Sequence, residues 1–191
     1  MASESPRRRR LLRQVGIEIE VLPAEVDEVP VKGRNPEEET VRLAVGKAVF
    51  TGSKLPVGRW VLAADTLVVV GDTILGKPVD EQDAVRMIKM IAGKTHRVIT
   101  GWCILKSPDE IVKKSFVESK VRIKNMDEDT VKAYVKTGEP MDKAGSYAVQ
   151  GVGAFMVKSI EGSYTNVVGL PLCEVVEALE EVGAARMFEN G

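Results

Sequence analysis

The residue in this 191-residue chain most in need of a chemical explanation is an acid inside an apolar run. Asp65 follows Val61-Leu62-Ala63-Ala64 and, after Thr66, precedes Leu67-Val68-Val69-Val70. An ionised carboxylate in such a place is costly unless it is paired, hydrogen-bonded or bound to a metal. Asp65 is therefore a candidate general base or Mg²⁺ ligand, against the even alternative of a structural aspartate bonded to nearby N–H groups. The opening Ser3-Glu4-Ser5-Pro6-Arg7-Arg8 is a second candidate. A helix beginning there offers unpaired N–H groups and a partial positive charge, and arginine adds planar, bidentate contacts to phosphate. Taken alone, the segment reads more readily as a solvated basic helix face, with or without a nucleic-acid role. Lys77, between Gly76 and Pro78, is an ammonium on a constrained turn, able to neutralise phosphate or simply to face water. Lys47 sits on a helical stretch after Arg42. Asp27 and Glu28 lie in a loop, where acids hold a metal or are solvated. Gln150 presents a donor and an acceptor side by side, the complement of the O4 acceptor and N3–H donor of uracil or thymine; a strand-end glutamine is the bland alternative.

Several chemistries are excluded. Gly151 to Ser159 reads GVGAFMVKS, with Val157 where a P-loop needs glycine before the lysine, and it lacks the third glycine of GxGxxG. There is no GxSxG nucleophile elbow. His96 is the only histidine, so HExxH and the usual His triads and Cys-His dyads cannot be assembled. Cys103 and Cys173 lie far apart with no CxxC, which argues against a disulfide framework or zinc site and suggests two small core residues. A net charge of -1 gives no reason to expect a nucleic-acid or membrane partner. No apolar run approaches the roughly 18 residues a membrane span needs. The basic start runs into Leu11-Leu12 and Gln14 without a signal-peptide apolar region, so a reducing cytoplasm is the expected compartment. With 44% hydrophobic and 29% charged residues, a packed soluble core rather than disorder is expected.

The elements that must position these groups follow from periodicity and punctuation. Ser5-Pro6 predicts a helix over 7–15 stopped by Gly16, with the Ser5 hydroxyl accepting from its first N–H groups. Ile17 to Leu22 alternates apolar and acidic as a half-buried strand does. Asn35-Pro36 opens a second helix with Glu37, Glu38 and Glu39 in its first turn. Trp60 to Val70 reads as a strand, Gly71-Asp72 as a hairpin turn, and Gly76-Lys77-Pro78 as the end of the return strand. Asp80 to Ile91 predicts an amphipathic helix; Arg97 to Leu105 and Ile111 to Ile123 predict two strands joined around Ser107-Pro108-Asp109. Asp127 caps a further helix closed by Gly138. The glycine-punctuated stretch from Gly145 to Gly169 predicts two or three short strands, and Leu170-Pro171 opens a last helix. Strands and helices alternate early and hairpins dominate later, which predicts a mixed sheet in an α/β fold.

Six segments in this order resemble the Maf family of nucleotide pyrophosphatases. Ser3 to Arg8 resembles its SxSPRR signature, Ala63-Ala64-Asp65-Thr66 its (A/G)ADT strand and Gly76-Lys77-Pro78 its GKP turn. Asp142 to Tyr147 with Gln150-Gly151 resembles DKAG-YxxQG; Gly162-Ser163-Tyr164 and Val168 to Leu172 resemble the closing GSY and VGLPL segments. The resemblance runs from Met1 to about Val182. Two residues, Met1-Ala2, stand where members carry a short first strand, and Arg9 and Arg10 extend the usual arginine pair.

The resemblance implies a single domain over 1–191: a mixed, twisted sheet flanked by helices, with two lobes around a nucleotide-binding cleft, in proteins that often form homodimers. It implies hydrolysis between the α- and β-phosphates of a nucleoside triphosphate with a divalent cation, Mg²⁺ or Mn²⁺. By position, Asp65 is the implied general base, and Ser3, Arg8, Glu28, Lys47 and Lys77 are implied for polyphosphate and metal, with Glu28 and Asp65 as metal ligands. Arg7, Thr66 and Gln150 fall at substrate-selecting positions. The YxxQG form resembles the dTTP/UTP branch rather than the branch acting on 7-methyl-GTP. A contact-acting regulator of septum formation is the alternative role that the resemblance carries.

Overall fold

The computed structural model describes residues 1–26, 31 and 33–187. Its helices are α1 (Pro6–Gln14), α2 (Pro36–Gly52), α3 (Glu81–Ile91), α4 (Glu128–Val135), α5 (Tyr164–Val168) and α6 (Leu172–Glu181). Its strands are β1 (Trp60–Val70), β2 (Thr73–Leu75), β3 (Thr95–Lys106), β4 (Glu110–Ile123) and β5 (Val157–Glu161). They form one antiparallel sheet in the order β2-β1-β3-β4-β5, so the α/β class expected from the sequence is the one adopted. The sheet grows by return strands such as β1–β2, where Gly71 turns the chain at φ 55° and Val70 pairs with Thr73. The chain divides into two compact units. One holds Met1–Asp65, Thr100–Val117 and Gly169–Gly191; the other holds Thr66–Ile99 and Glu118–Val168.

In the first unit α2 lies hard against the sheet because the seam is built of small residues. Ala2, Ala44, Ala48, Ala63 and Cys103 form one buried cluster with Val61 and Leu105. A Cβ at Gly101 would lie 2.4 Å from the Thr40 carbonyl carbon, and one at Gly52 the same distance from the Pro108 carbonyl oxygen. Interiors packed to crystal density have no slack for either methyl. The Asn35 side chain accepts the Glu37 N–H at 2.9 Å and starts the helix. Its inward face then carries Leu43, Ala44, Lys47, Ala48 and Thr51, spaced to meet the sheet.

In the second unit Asp80 caps α3 by accepting the Asp83 N–H at 2.7 Å, and Asp127 caps α4 by accepting that of Thr130 at 2.7 Å. Ala84, Met87, Ile88 and Ile91 of α3 join Val131, Tyr134 and Val135 of α4 in the main apolar cluster. Each large side chain so buried is worth about 1.5–3 kcal/mol.

Four expectations need correction. Residues 17–22 form no strand: Leu22 donates to the Met1 carbonyl at 3.0 Å and the Met1 ammonium to that of Glu20 at 2.5 Å, but this is too short a run of partners for a ladder. The glycine-rich stretch holds one strand, β5, beside two 3-10 turns and α5, because Gly145 and Gly151 adopt positive φ and keep reversing the chain. Ser5 makes no side-chain cap; its own N–H donates to the Ser3 hydroxyl at 3.3 Å. Cys103 is buried as expected, whereas Cys173 is exposed on α6, its thiol facing Glu177.

His96 is an internal residue of the second unit, 1% exposed. Its Nε2 lies 2.8 Å from the Tyr147 hydroxyl, and its buried Nδ1 has no hydrogen-bond partner among the described residues. Burial lowers its pKa from 6.5 to about 4. The unfolded chain thus binds the extra proton first as pH falls, and stability drains away between pH 6.5 and 4 at up to about 1.4 kcal/mol per pH unit. Urea denaturation should give an unfolding free energy about 2 kcal/mol smaller at pH 5 than at pH 7. The difference should vanish in His96→Phe; if it persists there, another group is responsible.

Candidate functional site

The first unit gathers four of the implied site residues inside the fold, where charged groups are rare. Ser3, Arg8, Lys47 and Asp65 are 7%, 8%, 4% and 7% exposed. Lys47 comes from the small-residue face of α2, and Asp65 from β1. Because the seam is thin, the lysine stem crosses it and Nζ donates to Asp65 Oδ1 at 2.5 Å. The ammonium offsets part of the cost of burying the carboxylate and fixes which oxygen it occupies.

Arg8 is held from two sides. Its Nη1 donates to the Ser3 hydroxyl at 2.8 Å and its Nε to the Gly169 carbonyl at 2.7 Å. The guanidinium is planar, so two bonds set its orientation. Gly169 stands at φ 124°, a backbone state closed to most side chains, and that state aims its carbonyl. The opening and VGLPL segments are thereby joined: the second supplies the acceptor that steadies the arginine of the first. Arg7 is half-buried, while Arg9 and Arg10 are exposed.

The second unit carries Thr66, half-buried, Lys77, exposed, and Gln150, half-buried. The Gly145 N–H donates to the Gly76 carbonyl at 3.0 Å, so the DKAG segment is tied to the turn bearing Lys77. Gly145 has φ 72°, and a Cβ there would lie 2.9 Å from Val68 Cγ1; only glycine makes that approach. Asn166 of α5 donates through Nδ2 to the Val98 carbonyl and to the Ser119 hydroxyl, each at 3.0 Å, and Ser119 accepts the Ser163 N–H at 3.0 Å. GSY is thus a docking turn for the chain entering α5.

Glu28 lies outside the described residues, as does Asp27. Among the described residues no three of His, Cys, Asp and Glu gather as metal ligands would.

Three groups escaped the sequence reading. Glu39 is buried and forked to Arg42 at 2.9 and 2.6 Å, and it accepts the Val31 N–H at 2.8 Å. The Arg42 guanidinium holds its carboxyl below the usual range, outweighing burial, which acts the other way. Tyr134 and Glu139 together grip the segment around Gln150. Periodicity marks Tyr134 as a core helix residue and nothing more. Glu139, between the helix-closing Gly138 and Pro140, reads as turn chemistry, with no signal of its long-range partners.

Comparison with known proteins gives a consistent result. The family described as Maf-like protein matches residues 1–182. A protein of Geobacter sulfurreducens named dTTP/UTP pyrophosphatase is 50% identical over 185 residues, covering 96% of each chain. One of Geobacter metallireducens with the same name is 52% identical over 185 residues, 96% of this chain and 95% of the relative. A third, from Syntrophotalea carbinolica and named alike, is 46% identical over 194 residues, spanning all of this chain and 87% of its own. A solved nucleoside-triphosphatase (dITP/XTP pyrophosphatase) of Mycobacterium abscessus aligns with TM-score 0.39 and 14% identity over 95% and 92% of the two chains, too remote to bear on the site.

Proposed function

The chain belongs to the Maf-like protein family, and from that membership we propose that it is a nucleoside triphosphate pyrophosphatase that hydrolyses dTTP and UTP to the monophosphate and pyrophosphate. Relatives at about half identity over nearly the whole chain carry that activity in their names, which supports the reaction class. The observation that carries the reading in this molecule is the buried Lys47–Asp65 pair, set in the same unit as an arginine fixed by Ser3 and Gly169. A carboxylate and an ammonium buried together are rare in an interior and common at sites that handle charged ligands.

In this reading the Asp65 carboxylate orients a water and accepts its proton as the oxygen bonds to the α-phosphorus. The bond from that phosphorus to the bridging oxygen breaks, and pyrophosphate leaves with the electron pair. Lys47 holds the Asp65 carboxylate in place through its ammonium. Ser3 and Arg8 bind phosphate oxygens, and Lys77 neutralises charge that builds on the departing group. No covalent intermediate is needed.

A divalent cation fits these residues, because Mg²⁺ is commonly held by one or two carboxylates together with substrate phosphates rather than by a protein cage. Asp65 would hold it, with Glu28 as the second acid. When bound, it would supply charge neutralisation on the polyphosphate. No described helix is long and apolar enough to cross a membrane.

The experiment is pyrophosphate release from a panel of nucleoside triphosphates, with Mg²⁺, with Mn²⁺ and with chelator. Metal-dependent release favouring dTTP and UTP is expected; no release from any nucleotide would overturn the catalytic reading.

Base choice is assigned to Gln150, with Arg7 and Thr66 at the neighbouring selecting positions. The Gln150 amide makes no hydrogen bond to a described residue, which leaves both its donor and its acceptor to a ligand. Gln150→Ala should narrow the preference for dTTP over dCTP by roughly 1–3 kcal/mol, the cost of a paired edge left unmatched. Equal loss of kcat/KM for both would remove Gln150 from base reading.

A further inference from the structure

We infer that Glu139, working with Tyr134, is a positioning residue for base selection: it fixes the turn on which Gln150 stands. The inference rests on the reading of Gln150 given above and adds to it the device that holds the amide in place.

The Glu139 carboxylate accepts three hydrogen bonds from groups far from it in the local chain. Oε1 takes the Val152 N–H at 2.9 Å; Oε2 takes the Gly153 N–H at 2.7 Å and the Tyr134 hydroxyl at 2.8 Å. The Tyr134 oxygen in turn accepts the Ala148 N–H at 3.2 Å. The segment from Ala148 to Gly153 is therefore pinned at both ends by one acid and one phenol, and Gln150 is its midpoint. A third tie holds the acid's own backbone, since Lys143 Nζ donates to the Glu139 carbonyl at 2.6 Å.

Sterics tell the same story. Gly151 has φ 88°, and a Cβ there would fall 2.1 Å from Glu139 Oε1. A Cβ at Gly153 would lie 2.5 Å from the Ala148 carbonyl oxygen and 2.6 Å from the Tyr134 hydroxyl. The turn can close on the carboxylate only because both residues lack side chains. Charge-assisted bonds to backbone N–H groups are among the stronger ones available, and two converge on a single side chain here. A glutamine whose backbone is held this firmly starts its side chain from one place and one direction, and without that restraint the amide would reach over a wider range. Discrimination between two bases of similar size depends on that fixity, because a mobile amide can follow either edge.

The test is kcat/KM for dTTP and for dCTP, whose exocyclic amine and N3 reverse the donor and acceptor order. It is measured in the full chain and in Glu139→Gln, Tyr134→Phe, Gln150→Ala and Glu139→Gln combined with Gln150→Ala. Glutamine at 139 keeps one acceptor and turns an NH₂ toward groups that are themselves donors. Its dTTP to dCTP ratio should fall about tenfold, and that of Tyr134→Phe should fall in the same direction. In the Gln150→Ala background, Glu139→Gln should change the ratio no further. A purely structural Glu139 would lower both substrates equally and leave the ratio intact, which overturns the inference. Ratio losses that multiply in the double variant also overturn it, because the two residues would then act separately. If Gln150→Ala itself leaves the ratio unchanged, the base-reading role fails and the positioning role falls with it. If Gln150→Ala lowers the ratio while Glu139→Gln and Tyr134→Phe do not, base reading stands and the positioning role alone is lost. Should Glu139→Gln not fold, Tyr134→Phe decides, since it leaves both amide bonds to the acid in place.

Discussion

Asp65→Asn is expected to lower dTTP turnover by roughly 10²–10⁴-fold with metal at saturation, the contribution of a well-placed general base. The substitution is nearly isosteric, and an amide oxygen can still accept from Lys47 Nζ, so the protein should remain folded with KM little changed. The loss should appear in kcat. A titration of metal against turnover separates two ways of failing: if raising the cation restores activity, Asp65 acts chiefly as a ligand; if not, its role lies in handling the water. Near-normal turnover at saturating metal would take the chemistry away from Asp65 altogether.

Removing the other half of the pair should be damaging in a different way. Lys47→Met retains the apolar stem but strands the Asp65 carboxylate in an interior seam. Breaking a buried ion pair from one side costs about 3–5 kcal/mol, much of it the uncompensated charge. Urea denaturation should show a loss of that order, along with a fall in turnover. Combining Lys47→Met with Asp65→Leu should recover most of the stability and none of the activity, because apolar groups of similar volume fill such a site without needing a partner. If the single variant is as stable as the parent, the short Nζ–Oδ1 contact is incidental. If the double variant regains activity, neither residue belongs to the site.

Much of this arrangement is visible in the sequence because the residues break a local rule. Asp65 interrupts an apolar strand, and the strand cannot bury it without a partner. Asn35-Pro36, Asp80 and Asp127 announce helix starts through short-range capping, and the structure begins α2, α3 and α4 at those points. What stays hidden is whatever depends on distant pairing. Residues 17–22 alternate like a strand, yet a strand needs a neighbour offering a continuous row of backbone groups, and among the described residues this segment hydrogen-bonds, beyond α1, only with Met1, through Glu20 and Leu22. Glycines after 138 signal reversals without saying whether the segments between them pair or coil. Lys47 looks like any surface lysine because the small-residue seam that swallows it is spread over α2, β1 and β3. Glu139 is the clearest case: its partners at 134, 152 and 153 are brought together by folding alone.

One of the groups that hold Arg8 is a backbone oxygen, and that has a consequence for how this protein can vary. A side-chain acceptor can drift through neutral exchanges, Asp for Asn or Ser for Thr, and carry its function along. The Gly169 carbonyl cannot be traded for another group; it can only be aimed well or badly. Its aim depends on φ 124°, which any residue with a Cβ resists. Position 169 is thus confined to a single amino acid, although it offers no side chain to any ligand. Heritable change reaches Arg8's orientation through a residue with no side chain to inspect, and a survey of functional groups alone would rank it last.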